Sequence, residues 1–332
     1  MQEHFIKILR TISDDNTSFV EEIASVLDIG YDAAYRRINL KTNLTLEEAV
    51  ILARHYNISL NKLFEIGRTN TIVAEVSPLI NNIDELEEWF TSSLNNLNPM
   101  KKIKGTKLIY SAKDIPVFHS LKDTLLTRFK IYVWLKDGDP GMIKTKKTFE
   151  EFLSEMPSSL IDSAIELGKA YDDIDIIEIW NDSTIVGSLQ QVLFYFESGS
   201  LSRENALEIC QEMDELIDLI EQQTLQQSLS RKSESASFNL YKSEFHTLNN
   251  TLMVISPKGK TFFNAFTVLS YLKIDHQPTC DVIYEFLKKQ LANSKLLVNA
   301  GERDINIFFK KIHNKIDIVR QRIVFEEKLD YL

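Results

Sequence analysis

The sequence predicts a mainly α-helical protein, with a small five-helix N-terminal domain and a larger, mostly helical domain that carries a minor β-sheet. Three observations carry this expectation. Over residues 4–66, apolar side chains recur every three or four positions, the spacing of one helix face. That regularity fails at "GRTNTIVAEVSP" (67–78), which ends in Pro78. With only 10 Gly and 7 Pro in 332 residues, there is little material for long irregular segments. The domains expected are therefore 1–68, a linker at 69–80 and 81–332, with a subdivision near the Ser-rich "SLSRKSESAS" (228–237).

In the first domain, "HFIKILRTI" places Phe5, Ile8, Leu9 and Ile12 on one face. "FVEEIASVL" follows Ser18, and Ser18 with Glu21 has capping-box spacing. "YDAAYRRINL" begins after Gly30. The fourth helix opens at Thr45 with the same spacing to Glu48, and "LNKLFEI" forms the fifth after Ser59. In the second domain, "IDELEEWFTSSLNNL" reads as a helix broken by Pro99, and "KLIYSAKDIPVF" as a strand or extended segment. "SLKDTLLTRFKIYVWL" resembles a buried helix stopped by "KDGDPG". Residues 148–171 are helical in pattern, and "DIDIIEIW" is ambiguous. Two helices follow, at "STIVGSLQQVLFYFESG" and "SRENALEICQEMDELIDLIEQQTLQQ". "NTLMVIS" is the clearest strand, closed by a "PKGK" turn, and "FFNAFTVLSYL" fits either state. "CDVIYEFLKKQLA" and "INIFFKKIHNKIDIVRQRIVFEEKLDY" close the chain as amphipathic helices.

Composition narrows the function. A net charge of −10 disfavours a broad basic surface but leaves room for a local one. No signal-peptide pattern opens the chain, and no apolar run approaches the ~20 residues of a membrane span. Cys210 and Cys280 stand far apart, outside any CxxC pair, so a cytoplasmic location is expected. There is no P-loop, GxGxxG, G-x-S-x-G or HExxH signature. His276 and Cys280 in "HQPTC", with His246 upstream, supply too few ligands for a metal. The expectation is a protein without catalytic residues, metal or cofactor.

Residues 23–38, "IASVLDIGYDAAYRRI", carry the functional signal. Two helices joined by a tight turn can set the second in the major groove of DNA. Ile23, Ala24 and Leu27 on the first helix, Ile29 in the turn, and Ala34 and Ile38 on the second would hold the angle. On the second helix Tyr31, Asp32, Tyr35, Arg36 and Asn39 then point away from the packed face. Arg can pair bidentately with guanine and Asn with adenine, which makes these the candidate base readers. Thr17, Ser18, Arg37, Lys41, Thr42 and Asn43 border that face as candidate phosphate contacts. The bland alternative is a surface helix with an Asp32–Arg36 ion pair, worth ~0.3–0.5 kcal/mol.

Residues 18–64 resemble the DNA-binding domain of lambda-repressor-like (XRE-type) helix-turn-helix regulators of bacteria. The likeness lies in "EIASVLDI", the following helix, "LTLEEAVILARHYNIS" and "LNKLF". It implies a five-helix fold that binds double-stranded DNA and regulates transcription. Asp28 stands where that family often has Gly, Gly30 replaces a small polar residue, and Arg37 replaces an apolar one.

The second domain bears no catalytic motif. Its size suits a one-component regulator whose C-terminal domain senses an unidentified small-molecule or peptide effector, dimerises, or both. Ile209, Met213, Leu216 and Ile220 form an a/d seam of about two heptads, a candidate homodimer contact. The competing reading is a protein-interaction or scaffold module whose head does not bind DNA.

Overall fold

The computed structural model describes residues 1–13, 18–64, 72–138, 146–229, 236–245, 248–267 and 269–329. The chain divides into two compact units, Met1–Val73 and Ala74–Leu332.

Among the described residues of the first unit are five helices: α1 (Gln2–Ile12), α2 (Phe19–Leu27), α3 (Tyr31–Ile38), α4 (Leu46–His55) and α5 (Leu60–Phe64). They close over one apolar core that includes Phe5, Leu9, Ile23, Ala34, Ile38 and Leu52. Three helices end the same way. Asp28, Leu40 and Asn57 adopt left-handed backbone, with φ of 53°, 59° and 52°. Each lets the next amide reach back to a carbonyl five residues earlier: Ile29 N–H to Ala24 O, Lys41 N–H to Arg36 O, and Ile58 N–H to Ala53 O. Thr45 and Glu48 form the expected capping box. Ser18 does not: its side chain makes no capping bond at α2.

In the second unit eight strands build one mixed sheet: β1 (Glu75–Val76), β2 (Lys107–Ser111), β3 (Asp175–Trp180), β4 (Phe238–Ser243), β5 (Thr251–Ser256), β6 (Gly259–Ala265), β7 (Tyr271–Ile274) and β8 (Ser294–Leu296). Their order is β1-β7-β6-β5-β2-β3-β4-β8, with β2–β3 and β3–β4 parallel and the other pairs antiparallel. The helices among the described residues include α6 (Ile83–Lys101), α7 (Val117–Ser120), α8 (Leu125–Gly138), α9 (Phe149–Glu155), α10 (Ser158–Tyr171), α11 (Val186–Glu197), α12 (Arg203–Gln226), α13 (Gln277–Ala292) and α14 (Glu302–Leu329).

Strand alternation separates two cores. Leu108, Ile176, Trp180, Phe238, Leu240 and Val254 face the main helical layer. Ile109, Ile179 and Met253 face the other way, onto Leu287 of α13. The "DIDIIEIW" segment is thus a strand buried on both faces, which explains why its pattern does not alternate cleanly. "FFNAFTVLSYL" contributes to β6 and β7.

Several expectations need correction. α6 runs through Pro99 to Lys101, continuing although Pro99 has no N–H to donate to the carbonyl one turn back. Residues 74–80 are less a linker than a sheet edge: β1 pairs with β7, Ser77 N–H donates to Tyr271 O, and Ser270 Oγ donates to Pro78 O. The helical seam is not a free surface. Ile209, Met213, Leu216 and Ile220 are all buried in their own unit's core, as are Cys210 and Ile217 on the adjoining edge, so the seven-residue repeat reports internal packing. Of the Ser-rich segment, residues 230–235 lie outside the described residues, and Ser228 bridges Ser237 across it.

Candidate nucleic-acid interface

α3 is pinned from below and open above. Ala34 and Ile38 are buried against Ile23 and Leu27 of α2, with Ala24 and Ile29 packed at the margin. The left-handed Asp28 reverses the chain, and Gly30 then starts α3 from extended backbone. On the opposite side Tyr31, Asp32, Tyr35, Arg36 and Asn39 are exposed. Tyr31 and Tyr35 keep 51% and 43% of their surface in solvent, high for side chains of this size.

Arg36 has no ion-pair partner among the described residues, so the Asp32–Arg36 bridge does not form and the guanidinium remains uncommitted. Asn39 Nδ2 donates to Tyr35 O at 2.9 Å, within its own helix. The Lys41 ammonium lies 5.6 Å from the Tyr35 ring centroid, a cation–π distance. Tyr35, Arg36, Asn39 and Lys41 thus form one exposed aromatic and basic strip.

Arg37 is placed differently. Its Nε donates to both Glu48 oxygens at 2.9 Å, its Nη2 lies 2.7 Å from Glu48 Oε1, and its Nη1 donates to Ala33 O at 3.1 Å. The hydrogen bonds with Glu48 raise the guanidinium further above its ordinary value and hold the carboxyl below the usual carboxylate range. In this arrangement Arg37 is a clamp between α3 and α4, where the sequence suggested a phosphate contact.

Two positioning residues escaped sequence reasoning. Gln2 reaches from α1 to the α3–α4 turn: its Nε2 donates to Arg37 O and Thr42 O, both at 3.0 Å, and its Oε1 accepts Leu44 N–H at 3.1 Å. This clasp fixes the loop that exposes Lys41, Thr42 and Asn43. Glu48 carried a visible signal as a capping residue, but its second role needed the fold. Ser18 is exposed at the start of α2, where Glu21 and Glu22 occupy the first turn and oppose an anion. Thr17 lies outside the described residues.

The larger unit has its own polar cluster. Glu178 is fully buried, yet its oxygens accept from Tyr171 Oη and Trp180 Nε1 and meet His119 Nε2, each at 2.8 Å. Burial and the Glu178 charge push the Tyr171 hydroxyl well above its ordinary value. This acid–histidine pair was not evident in sequence. With both Glu178 oxygens partnered and the carboxylate sealed from solvent, the cluster ties β3 to α7 and α10. Asp214, Asp218, His313 and Arg320 form an ion-pair network between α12 and α14, with Glu221 beside Asp218 and His313.

Comparison with protein-family models, with curated proteins and with solved structures gives no match. No helix among the described residues is long and apolar enough to cross a membrane.

Proposed function

We propose that the chain is a sequence-specific DNA-binding transcription regulator of the one-component type. In this reading α3 enters the major groove, and residues 81–332 sense a signal, dimerise, or both. The observation that carries the proposal is the uncommitted Arg36 on a helix whose opposite face is fixed by Ala34 and Ile38. Arg36 and Asn39 would read base edges, with Tyr31, Asp32 and Tyr35 beside them. Lys41, Thr42 and Asn43 would contact phosphates from the loop that Gln2 secures. One head covers few base pairs, so two heads on a two-fold site would gain through effective concentration, which favours a homodimer.

The test is selection of bound fragments from sheared source-genome DNA by the full-length protein at near-physiological salt. Enrichment of a two-fold symmetric sequence supports both the regulator and the dimer. Absence of any enrichment, with or without cell extract as a source of effector, removes the DNA reading.

Two observations favour a second reading, a protein-interaction module. Arg37 is spent on Glu48, and Glu21 with Glu22 places negative charge at the α2 N-terminus. Salt dependence separates the two, because phosphate neutralisation releases counterions and protein docking does not.

A further inference from the structure

The larger unit holds two adjoining cavities, one lined mainly by apolar surface and the other about half polar, and we propose that together they bind a small amphipathic organic acid, its carboxylate in the more polar one and its apolar tail in the other. The inference deepens the sensory role proposed for residues 81–332 and depends on that reading only for its regulatory meaning.

The polar chamber, about 670 Å³, is organised around Lys130 of α8. This ammonium is buried, and burial lowers its pKa from the ordinary value. It donates to Ser188 Oγ at 2.5 Å and Gln191 Oε1 at 3.0 Å, both on α11, with Asp114 Oδ2 at 3.7 Å. Ser188 Oγ donates in turn to Asp114 Oδ2 at 2.7 Å. Asn250 Oδ1 accepts the backbone N–H of Lys113 at 2.8 Å and of Asp114 at 3.4 Å, fixing the loop. Gly187 lets α11 approach Asp114: a Cβ there would lie 3.1 Å from Asp114 Oδ2. The site is assembled from four chain segments.

Its unspent chemistry is donor-rich. Gln191 Nε2 and Asn250 Nδ2 have no protein acceptor among the described residues. Lys113, exposed to solvent, also lines the wall, so the lining carries two ammonium groups against the single carboxylate of Asp114. A single carboxylate complements both the charge and the amide donors through charge-assisted hydrogen bonds. A cationic ligand would meet the buried ammonium.

The second chamber, about 430 Å³, is walled by Trp89, Leu97, Phe118, Leu252 and Phe263. Tyr110, Val117, Asn250 and Ala265 line both chambers, so a ligand in one borders the other. An acyl or aromatic chain ending in a carboxylate therefore fits both halves, whereas a sugar or nucleotide would strand polar groups against the aromatic wall.

The test titrates the full-length protein with sodium octanoate, and with octanol and octyltrimethylammonium as neutral and cationic counterparts. Calorimetry and the fluorescence of Trp89 and Trp134 report binding. The expected result is saturable one-to-one binding of octanoate, at least ten-fold tighter than either counterpart. Gln191→Leu, which spares the Lys130–Asp114 pair, should weaken octanoate several-fold, and Lys130→Met should abolish the preference for the anion. Equal affinity for all three probes overturns the proposal, as does the absence of saturable binding. Octanoate binding by a protein that selects no DNA would uphold the site while removing the regulator. DNA selection without binding of the acid would do the reverse.

Discussion

Arg37 and Glu48 hold α3 to α4 through paired 2.9 Å hydrogen bonds from one guanidinium nitrogen, reinforced by a 2.7 Å contact from another. Both side chains are largely withdrawn from water, so neither is a typical surface partner. Arg37→Ala should cost roughly 1–3 kcal/mol, because it strands a part-buried carboxylate that also caps α4. Hydrogen exchange on the full-length protein should show faster opening of α3 and α4, with the larger unit unchanged. Equal protection in both forms would show that the clamp contributes nothing.

Arg36 and Lys41 should separate in kind. Arg36→Ala is expected to erode discrimination between sites by about 1–3 kcal/mol, with little effect on non-specific binding. Lys41→Ala should weaken all DNA alike and reduce the salt slope by about one phosphate's worth. Titrations of specific and scrambled duplexes at several salt concentrations measure both. If Arg36→Ala leaves the ratio of specific to scrambled affinity intact, α3 does not read bases.

Leu40 sits in left-handed backbone at φ 59°, where a side chain strains against its own peptide. Leu40→Gly should therefore stabilise the first unit by up to about 1 kcal/mol. A lower thermal midpoint for its unfolding would mean that the half-exposed leucine side chain packs more usefully than its backbone suggests.

Glu178 receives three polar groups at 2.8 Å in a sealed environment. Glu178→Ala would orphan all three, at an expected cost of about 3–5 kcal/mol. Urea unfolding of the larger unit reads this directly. Glu178→Gln should be milder, since an amide still accepts one or two of the bonds.

Asp172 follows the C-terminus of α10, and burial pushes its carboxyl up to about 6, against the partial relief from His119 and Lys122. A raised folded-state value means that folding takes up a proton. The associated stability is complete below about pH 4 and is lost as pH rises through 6. Asp172→Asn should thus gain roughly 1–2 kcal/mol at pH 7, discounted from the full shift because the group keeps some access to water. The gain should vanish near pH 4. A constant difference across pH 4–8 would rule out the titration as its source.

What the sequence disclosed was local. The five helices of the head follow from three- and four-residue spacing, and the Thr45–Glu48 cap from its pattern. Contacts between distant residues were silent. Nothing in "MQEHF" announces that Gln2 will clasp Thr42 and Leu44, and the Arg37–Glu48 pair depends on how α3 crosses α4. The repeat in α12 revealed that one face is buried but could not say by what. The cavity around Lys130 draws on residues from loops, helices and strands more than 130 positions apart, beyond any periodicity.

The strand order also sets a timetable for synthesis. The head's described core is complete once Phe64 has been made, whereas β1 must wait for β7, with Glu75 opposite Lys273, and β4 finds its outer neighbour only at β8. A ribosome therefore releases the head with every partner already present, long before the sheet behind it can close. Nascent β2 and β3 carry open hydrogen-bonding edges through this interval and are the segments a chaperone would shield. Chains that stop early would carry the first unit's core without the sheet or the cavities that it lines.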